Sequence, residues 1–430
     1  MVSNMLVRAF HFLASLRLTV ALLAMSIVLV FFGTLGQVNL GLYEAQERYF
    51  KSWLVLWQPV SSLPIPVPLP AGYLLGTSLL VNLLAAHFKR FKFTWKKSGI
   101  LLTHVGIILL LVGQLATDMF ATESYLRLTE GQTRNYSEGQ RETELAIVDV
   151  TDAGNDKVIV FPESRIQRGA TLSHPNLPFR LGVKEYAANS DLRPRGPQSG
   201  GEPQAPAGIA TRFTFTPEAT SAAMNSRNVP FAIVDVEDPQ GSTPANRWVV
   251  SPYASDEALR ISIERSFRRK LGPEMTSALV GTLARPQEFT FANRRFQIAL
   301  RPTRYYTGHA LELLSFKHDK YIGTDKPKDF RSRVRLHDPA VGRPREIDIY
   351  MNNPLRHAGL TYFQAGFDEM DPNARTTILQ VVQNPSWLAP YFGCVVVGVG
   401  MTVQFLIHLV AFSVRKSRPA SPSVPAPAAA

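Results

Sequence analysis

Four stretches of about 20 mostly apolar residues constrain this chain more than anything else in it, because a helix of that length is what crosses the hydrocarbon core of a bilayer. They cover residues 13–36 (LASLRLTVALLAMSIVLVFFGTLG), 69–88, 98–116 (SGILLTHVGIILLLVGQLA) and 387–412. The first is too long for the apolar segment of a signal peptide and has no small-x-small cleavage site after it, so it is read as retained. The fold class this implies is an integral membrane protein with four transmembrane α-helices. A large block between the third and fourth completes it.

Charge orients the spans. Of the 46 Lys and Arg, 34 lie between Asp118 and Trp387, together with 32 of the 34 acidic residues. That block carries only +2 of the formal +12, and elsewhere 12 basic groups face two acids, Glu44 and Glu47. A nucleic-acid-binding protein concentrates positive charge on a folded domain. Here the charge flanks apolar stretches instead, as the positive-inside rule describes. Lys89, Arg90, Lys92, Lys96 and Lys97 make the 89–97 loop cytoplasmic, and Arg8 and Arg17 place the N-terminus with it. Arg415, Lys416 and Arg418 do the same for the C-terminus. The predicted order is a cytoplasmic N-terminus (1–12), TM1 (13–36), an exported loop (37–68), TM2 (69–88), the basic loop (89–97), TM3 (98–116), an exported domain (117–386), TM4 (387–412) and a disordered cytoplasmic tail (413–430). The membrane is a bacterial plasma (inner) membrane, with the large domain periplasmic.

Within the exported block the apolar runs shorten to strand length, as in ELAIVDV, KVIVF, RFTFT, FQIAL and EIDIY. Their alternation and their β-branched and aromatic content predict a mostly antiparallel β domain. Three segments, starting at Ala146, Ala232 and Ser332, repeat a strand, an Asp-containing turn and a strand, which fits reused hairpins as well as a true repeat. A helix is predicted over 255–270 and a mobile Pro- and Gly-rich loop over 189–210. The single cysteine, Cys394, excludes a disulfide framework and any CxxC or CxxCH motif.

Histidines are then the main candidates for chemistry. His104 sits six residues into the third span, roughly 9 Å deep, and His408 four residues from the end of the fourth, about 6 Å deep. The spans run in opposite directions, so the two share a depth near the cytoplasmic surface. An imidazole in hydrocarbon is costly unless partnered, which makes His104 a functional candidate. The plain alternative is a neutral ring bonded to a neighbouring helix. His408 can snorkel to the headgroups, and His87 reads as interfacial. Gly99, Gly106 and Gly113, seven apart, form a small-residue seam; Gly106 lies about 200° around the helix from His104, so seam and histidine face different neighbours. Zinc and calcium sites want further His, Cys or acidic ligands that the spans lack. Haem needs one or two axial ligands, an apolar slot and basic groups for its propionates, and Lys96 and Lys97 stand just before the third span. His174, His309, His318, His337 and His357 show no metal-ligand spacing and are read as surface or hydrogen-bonded loop residues. No nucleotide or hydrolase motif appears, and no residue is assigned as catalytic.

Several stretches resemble the ResB (CcsB) family of cytochrome c biogenesis proteins: FHFLASLRLTVALLAMSIVLVFFGTLGQ at the first span, WKKSGILLTHVGIILLLVG at the third, and NNPLRHAGLTYFQAG (352–366) running into the last. The resemblance implies a haem-handling accessory subunit of a cytochrome c synthetase, with His104 as an axial ligand of haem b iron opposite a histidine of the partner, and a less defined role for His408. It also implies the partners: a tryptophan-rich membrane subunit of the ResC (CcsA) type, the apocytochrome c, and a membrane-anchored thioredoxin-like reductant. The five tryptophans here are widely scattered, so the haem-presenting half belongs to that partner. The competing reading is a non-catalytic envelope scaffold or sensor. It gives no reason for His104. An intrachain His104 and His408 pair is a further alternative for the ligand set.

Overall fold

The structure is a computed structural model that describes residues 2–57, 67–90, 94–152, 154–196, 201–221, 227–238, 244–320, 327–367 and 375–416. It divides into two units, Met1–Ala121 with Asn384–Ala430, and Thr122–Gln383. Residues 417–430, most of the tail expected to be disordered, lie outside the described residues.

In the first unit the chain opens with α1 (Val2–Leu13), a helix where the sequence suggested only a terminus. Ser15 separates it from α2 (Leu16–Ala45): its backbone is extended, and its hydroxyl accepts from the Leu18 amide, capping the longer helix. No proline occurs between Leu16 and Trp57, and helix continues past residue 36 to a kink at Gly41, non-helical at φ 76° and ψ 165°, then resumes and runs into a π-helical turn, Gln46–Phe50. Strands β1 (Leu54–Trp57) and β2 (Val67–Pro70) pair antiparallel before α3 (Gly72–Arg90), and α4 follows (Ser98–Phe120).

Among the described residues three helical stretches are long and apolar enough to cross a membrane: Leu16–Phe50, Trp95–Phe120 and Ala389–Val414. The second predicted span exists as α3 but falls short of that measure. Its first residues belong to β2, and it carries Thr77, Ser78, Asn82 and His87. Asn82 is buried, accepting from the Thr19 hydroxyl at 2.6 Å and donating to the Leu13 and Ser15 carbonyls. The polarity that lowers the apolarity of α3 is thus spent on tying it to the α1–α2 junction.

The second unit is antiparallel throughout its described pairings, as expected. In chain order its strands are β3 (Thr122–Thr129), β4 (Thr133–Asp149), β5 (Lys157–Pro162), β6 (Thr171–Leu172), β7 (Arg180–Ala187), β8 (Ser190–Pro194), β9 (Phe213–Pro217), β10 (Phe231–Glu237), β11 (Pro244–Val250), β12 (Glu288–Phe291), β13 (Arg294–Lys320), β14 (Pro327–His337), β15 (Arg345–Tyr350), β16 (Leu355–His357), β17 (Leu360–Phe367) and β18 (Thr376–Gln383). A ten-stranded sheet runs β15-β14-β13-β4-β3-β18-β17-β16, with β12 on β13 and β5 on β4; β11-β10-β7-β6 form a second sheet, and β8-β9 a third. The long β13 links two cores. Its Phe296, Ile298 and Leu300 pack with Val234, Val236 and Trp248 of the second sheet, and its Leu311 and Leu313 with Leu128, Val334 and Leu379.

The three repeated segments are hairpins, β4–β5, β10–β11 and β14–β15, distributed over two sheets. Hairpin reuse accounts for them. The expected loop over 189–210 is a correction: it starts with strand β8 and holds buried Leu192, Ala205 and Ile209, apolar residues that draw the segment into a core with Phe213. The predicted helix is found, preceded by a single turn, α5 (Pro252–Ser255). It is α6 (Glu257–Leu271), capped by Asp256, whose carboxylate accepts from the Ala258 and Leu259 amides. A second helix, α7 (Pro273–Ala284), went unread. Gly272 at φ 78° breaks the chain, and Pro273 at the first position restarts it.

The chain then returns to the first unit as α8 (Ala389–Lys416), which packs along α4.

Candidate functional site

The glycine seam is what lets α4 and α8 approach. A Cβ on Gly99 would lie 2.5 Å from the Gly400 carbonyl, on Gly106 2.6 Å from Val397 Cγ2, and on Gly113 2.5 Å from Ala389 Cβ. All three glycines are buried, so one face of α4 is fully occupied. Polar groups join the same face at its ends. Gln404 accepts from the Ile100 amide and donates to the Lys96 carbonyl, and Thr117 bonds Ser386 at 2.8 Å.

His104 points elsewhere, as the helical angle requires. Its ring meets that of His87 on α3 edge to face, centroids 4.7 Å apart and planes at 81°. Among the described residues its Nδ1 is buried with no hydrogen-bond partner. An orphaned imidazole nitrogen is uncommon enough in a folded interior to need a reason. His87 Nδ1 lies 3.0 Å from the Leu83 carbonyl, which only accepts, so Nδ1 donates to it. Sequence reading placed His87 at the interface and missed this pairing. The signal was there in the short 89–97 connection, which makes the flanking helices antiparallel neighbours.

His408 is exposed on α8, and its Nε2 lies 3.0 Å from Gln404 Nε2, which donates to it. It makes no described contact with His104. Lys96 and Lys97 occupy a 3-10 turn, Trp95–Lys97, and both are exposed. Lys97 is the residue before the first turn of α4, two turns ahead of His104 in the chain, and its non-helical backbone (φ −112°) sets it outside the face count of that helix.

Two histidines of the second unit match the expected surface or hydrogen-bonded loop roles, His174 accepting from the Asn176 amide and His337 bonding Glu312, while His309 and His318 depart from them. His309 is buried within β13, where its Nε2 lies 2.7 Å from the Tyr362 hydroxyl and its ring 4.7 Å from that of His357. Burial, and then His357, hold His309 below the usual histidine range. His357 bonds Asp338 at 2.8 Å, and His318 stacks on Phe330 and Phe367. Both His357 and Tyr362 fall in the 352–366 stretch. Its turn is a two-residue hairpin with Ala358 and Gly359 at φ 49° and 78°, and it delivers the two side chains to the same buried cluster. Among the described residues no group of three or more His, Cys, Asp or Glu could hold a metal ion.

Comparison with known proteins supports the resemblance read from the sequence. Residues 260–377 match the ResB-like family. Over 173 residues the chain is 27% identical to Protein NrfI of Wolinella succinogenes, a match covering 39% of this chain. It spans about one fifth of that relative's length, 19%. The 352–366 stretch lies inside the family match, while the membrane helices and His104 lie outside it.

Proposed function

We propose that this chain, ResB-like over residues 260–377, is a membrane subunit of a cytochrome c biogenesis complex whose substrate is haem. Its reading is a four-crossing protein, α3 supplying the fourth crossing, with both termini cytoplasmic and the β unit exported. His104 serves as an axial ligand to haem iron on the α3 side of α4. The observation that carries this is the buried, unpartnered Nδ1 of His104 on the helix face that the glycine seam leaves unused.

His87 is not the second axial ligand in this arrangement. Axial imidazoles sit on opposite faces of the macrocycle, and rings 4.7 Å apart in edge contact leave no space for its plane between them. His87 positions the His104 ring instead, and the opposite ligand comes from a tryptophan-rich partner subunit that completes attachment to an exported apocytochrome c. Lys96 and Lys97, exposed in the turn before α4, would meet the haem propionates in this reading. His408, held by Gln404, is given no ligand role.

The test is to purify the chain with its partner from haem-producing cells and compare the haem absorbance and cytochrome c maturation of single variants. His104→Ala should lose nearly all bound haem, with partial recovery on adding imidazole. His87→Ala should retain haem at about 10-fold weaker affinity, as for loss of a group that orients a ligand. Unchanged haem and maturation in His104→Ala would remove the ligand role and favour a scaffold.

A further inference from the structure

A cavity of about 430 Å³ lies between α2, α3 and α4 at the end away from His87 and His104. We propose that it binds a membrane lipophile with an uncharged, oxygen-bearing head, of the isoprenoid quinone class. The inference stands apart from the haem reading and uses none of its residues.

The size is that of a small-molecule pocket. Phe50, Leu80, Leu111 and Leu115 give it mainly apolar walls, and it lies among helices of which two are apolar enough to cross a membrane, so a ligand reaches it from lipid. Gly76 of α3 opens into it: a Cβ there would meet nothing within 4 Å, whereas one on Gly72 would lie 2.2 Å from the Phe50 carbonyl. Tyr73 lines the cavity, and the Trp53 ring meets it edge to face, centroids 6.1 Å apart. Such aromatic pairs mark headgroup depth, where the polar head of a lipophile resides.

Charge selects the head. Among the described lining residues Lys51 is the cation, and it is already held by Glu47 at 3.0 Å and Asp118 at 3.6 Å. Tyr73 donates its hydroxyl proton to Asp118. The cluster of one cation and two carboxylates is net negative, so a carboxylate or phosphate head meets repulsion. Gln37, Thr77 and Gln114 also line the space, and the two amides engage no described side chain. Amides and hydroxyls both donate and accept, which matches carbonyl or hydroxyl oxygens. Gln37 is half-buried and Gln114 exposed beside this space, so both amides are accessible to a head group.

The full chain in phosphatidylcholine nanodiscs would be titrated with decylubiquinone, following tryptophan fluorescence, since Trp53 is in ring contact with Tyr73 of the cavity wall. Saturable quenching is expected, and Trp53→Phe should remove most of it. Gly76→Leu fills open space and suits a helix, so the fold should hold while apparent affinity falls at least 10-fold; Gln37→Leu and Gln114→Leu should each weaken it several-fold. His104→Ala should leave it unchanged. Quenching that rises linearly without saturating, or a Gly76→Leu midpoint equal to that of the parent, would overturn the proposal. Displacement of the quinone by a small fraction of phosphatidylglycerol would also overturn it, by assigning the cavity to an anionic head.

Discussion

An ionisable side chain here takes its meaning from its partners. Asp149 and Asp235 occupy equivalent places in two hairpins that both read AIVDV, and each is answered by an arginine from an adjacent strand, Arg294 and Arg247. Asp149 is pushed down to about 2, first by the Thr151 hydroxyl, which donates at 2.5 Å, and then by Arg294. The unfolded chain binds that proton near the ordinary value of 3.8, so the contribution to stability is complete above that pH and is lost as pH falls toward 2. Its size is on the order of 1 kcal/mol once solvent screening is allowed for. Thermal unfolding of Asp149→Asn should therefore show a lower Tm at neutral pH and a flatter fall between pH 4 and 2. An acid limb parallel to that of the parent would contradict the assignment. Among the described residues the buried Nδ1 of His104 has no hydrogen-bond partner, whereas Nε2 of His309 is bonded to Tyr362, and that difference separates a candidate ligand from a structural group.

At the scale of elements, α4 shows two faces built for different purposes. The seven-residue spacing of Gly99, Gly106 and Gly113 was legible as a packing stripe, and the opposite direction of His104 followed from helical angle alone. That the stripe meets α8, and that His104 meets α3, came from the assembly of the helices. Gly106→Ala tests the stripe. The added methyl would stand 2.8 Å from the Val397 amide nitrogen and 2.9 Å from the Gly393 carbonyl, backbone atoms that cannot turn aside. Overpacking of this kind costs about 1–3 kcal/mol, so a lower Tm in detergent is expected, while Gly76→Ala, with open space, should leave Tm unchanged or raised. Equal Tm values for both variants would mean that the helices do not pack as described. The 260–284 region teaches the converse. One helix was read where two exist, because the apolar pattern of PEMTSALVGTLA is weak and only Gly272 and Pro273 announce the restart.

For the whole molecule, the distribution of charge predicts which side each part faces. With Cys394 replaced by Ser, a cysteine at exposed Val341 of the β unit should react with a membrane-impermeant maleimide in cells whose outer membrane has been opened. A cysteine at Thr94 should react only after lysis. The reverse pattern would invert the orientation. Sequence by itself determined the long apolar helices, the nearly neutral antiparallel β unit and its hairpins, and a ResB-like character, because each is written in residue periodicity, charge placement or a contiguous motif. It also singled out His104, by the cost of an imidazole in hydrocarbon. Only the tertiary structure decided that His87 stands beside it, that His309 and His357 meet in a buried cluster, and that Gly76 opens onto a cavity ringed by Gln37, Thr77 and Gln114. Those facts depend on which helix or strand lies against which, and local pattern carries the faces of an element but not the identity of the neighbour each face will find.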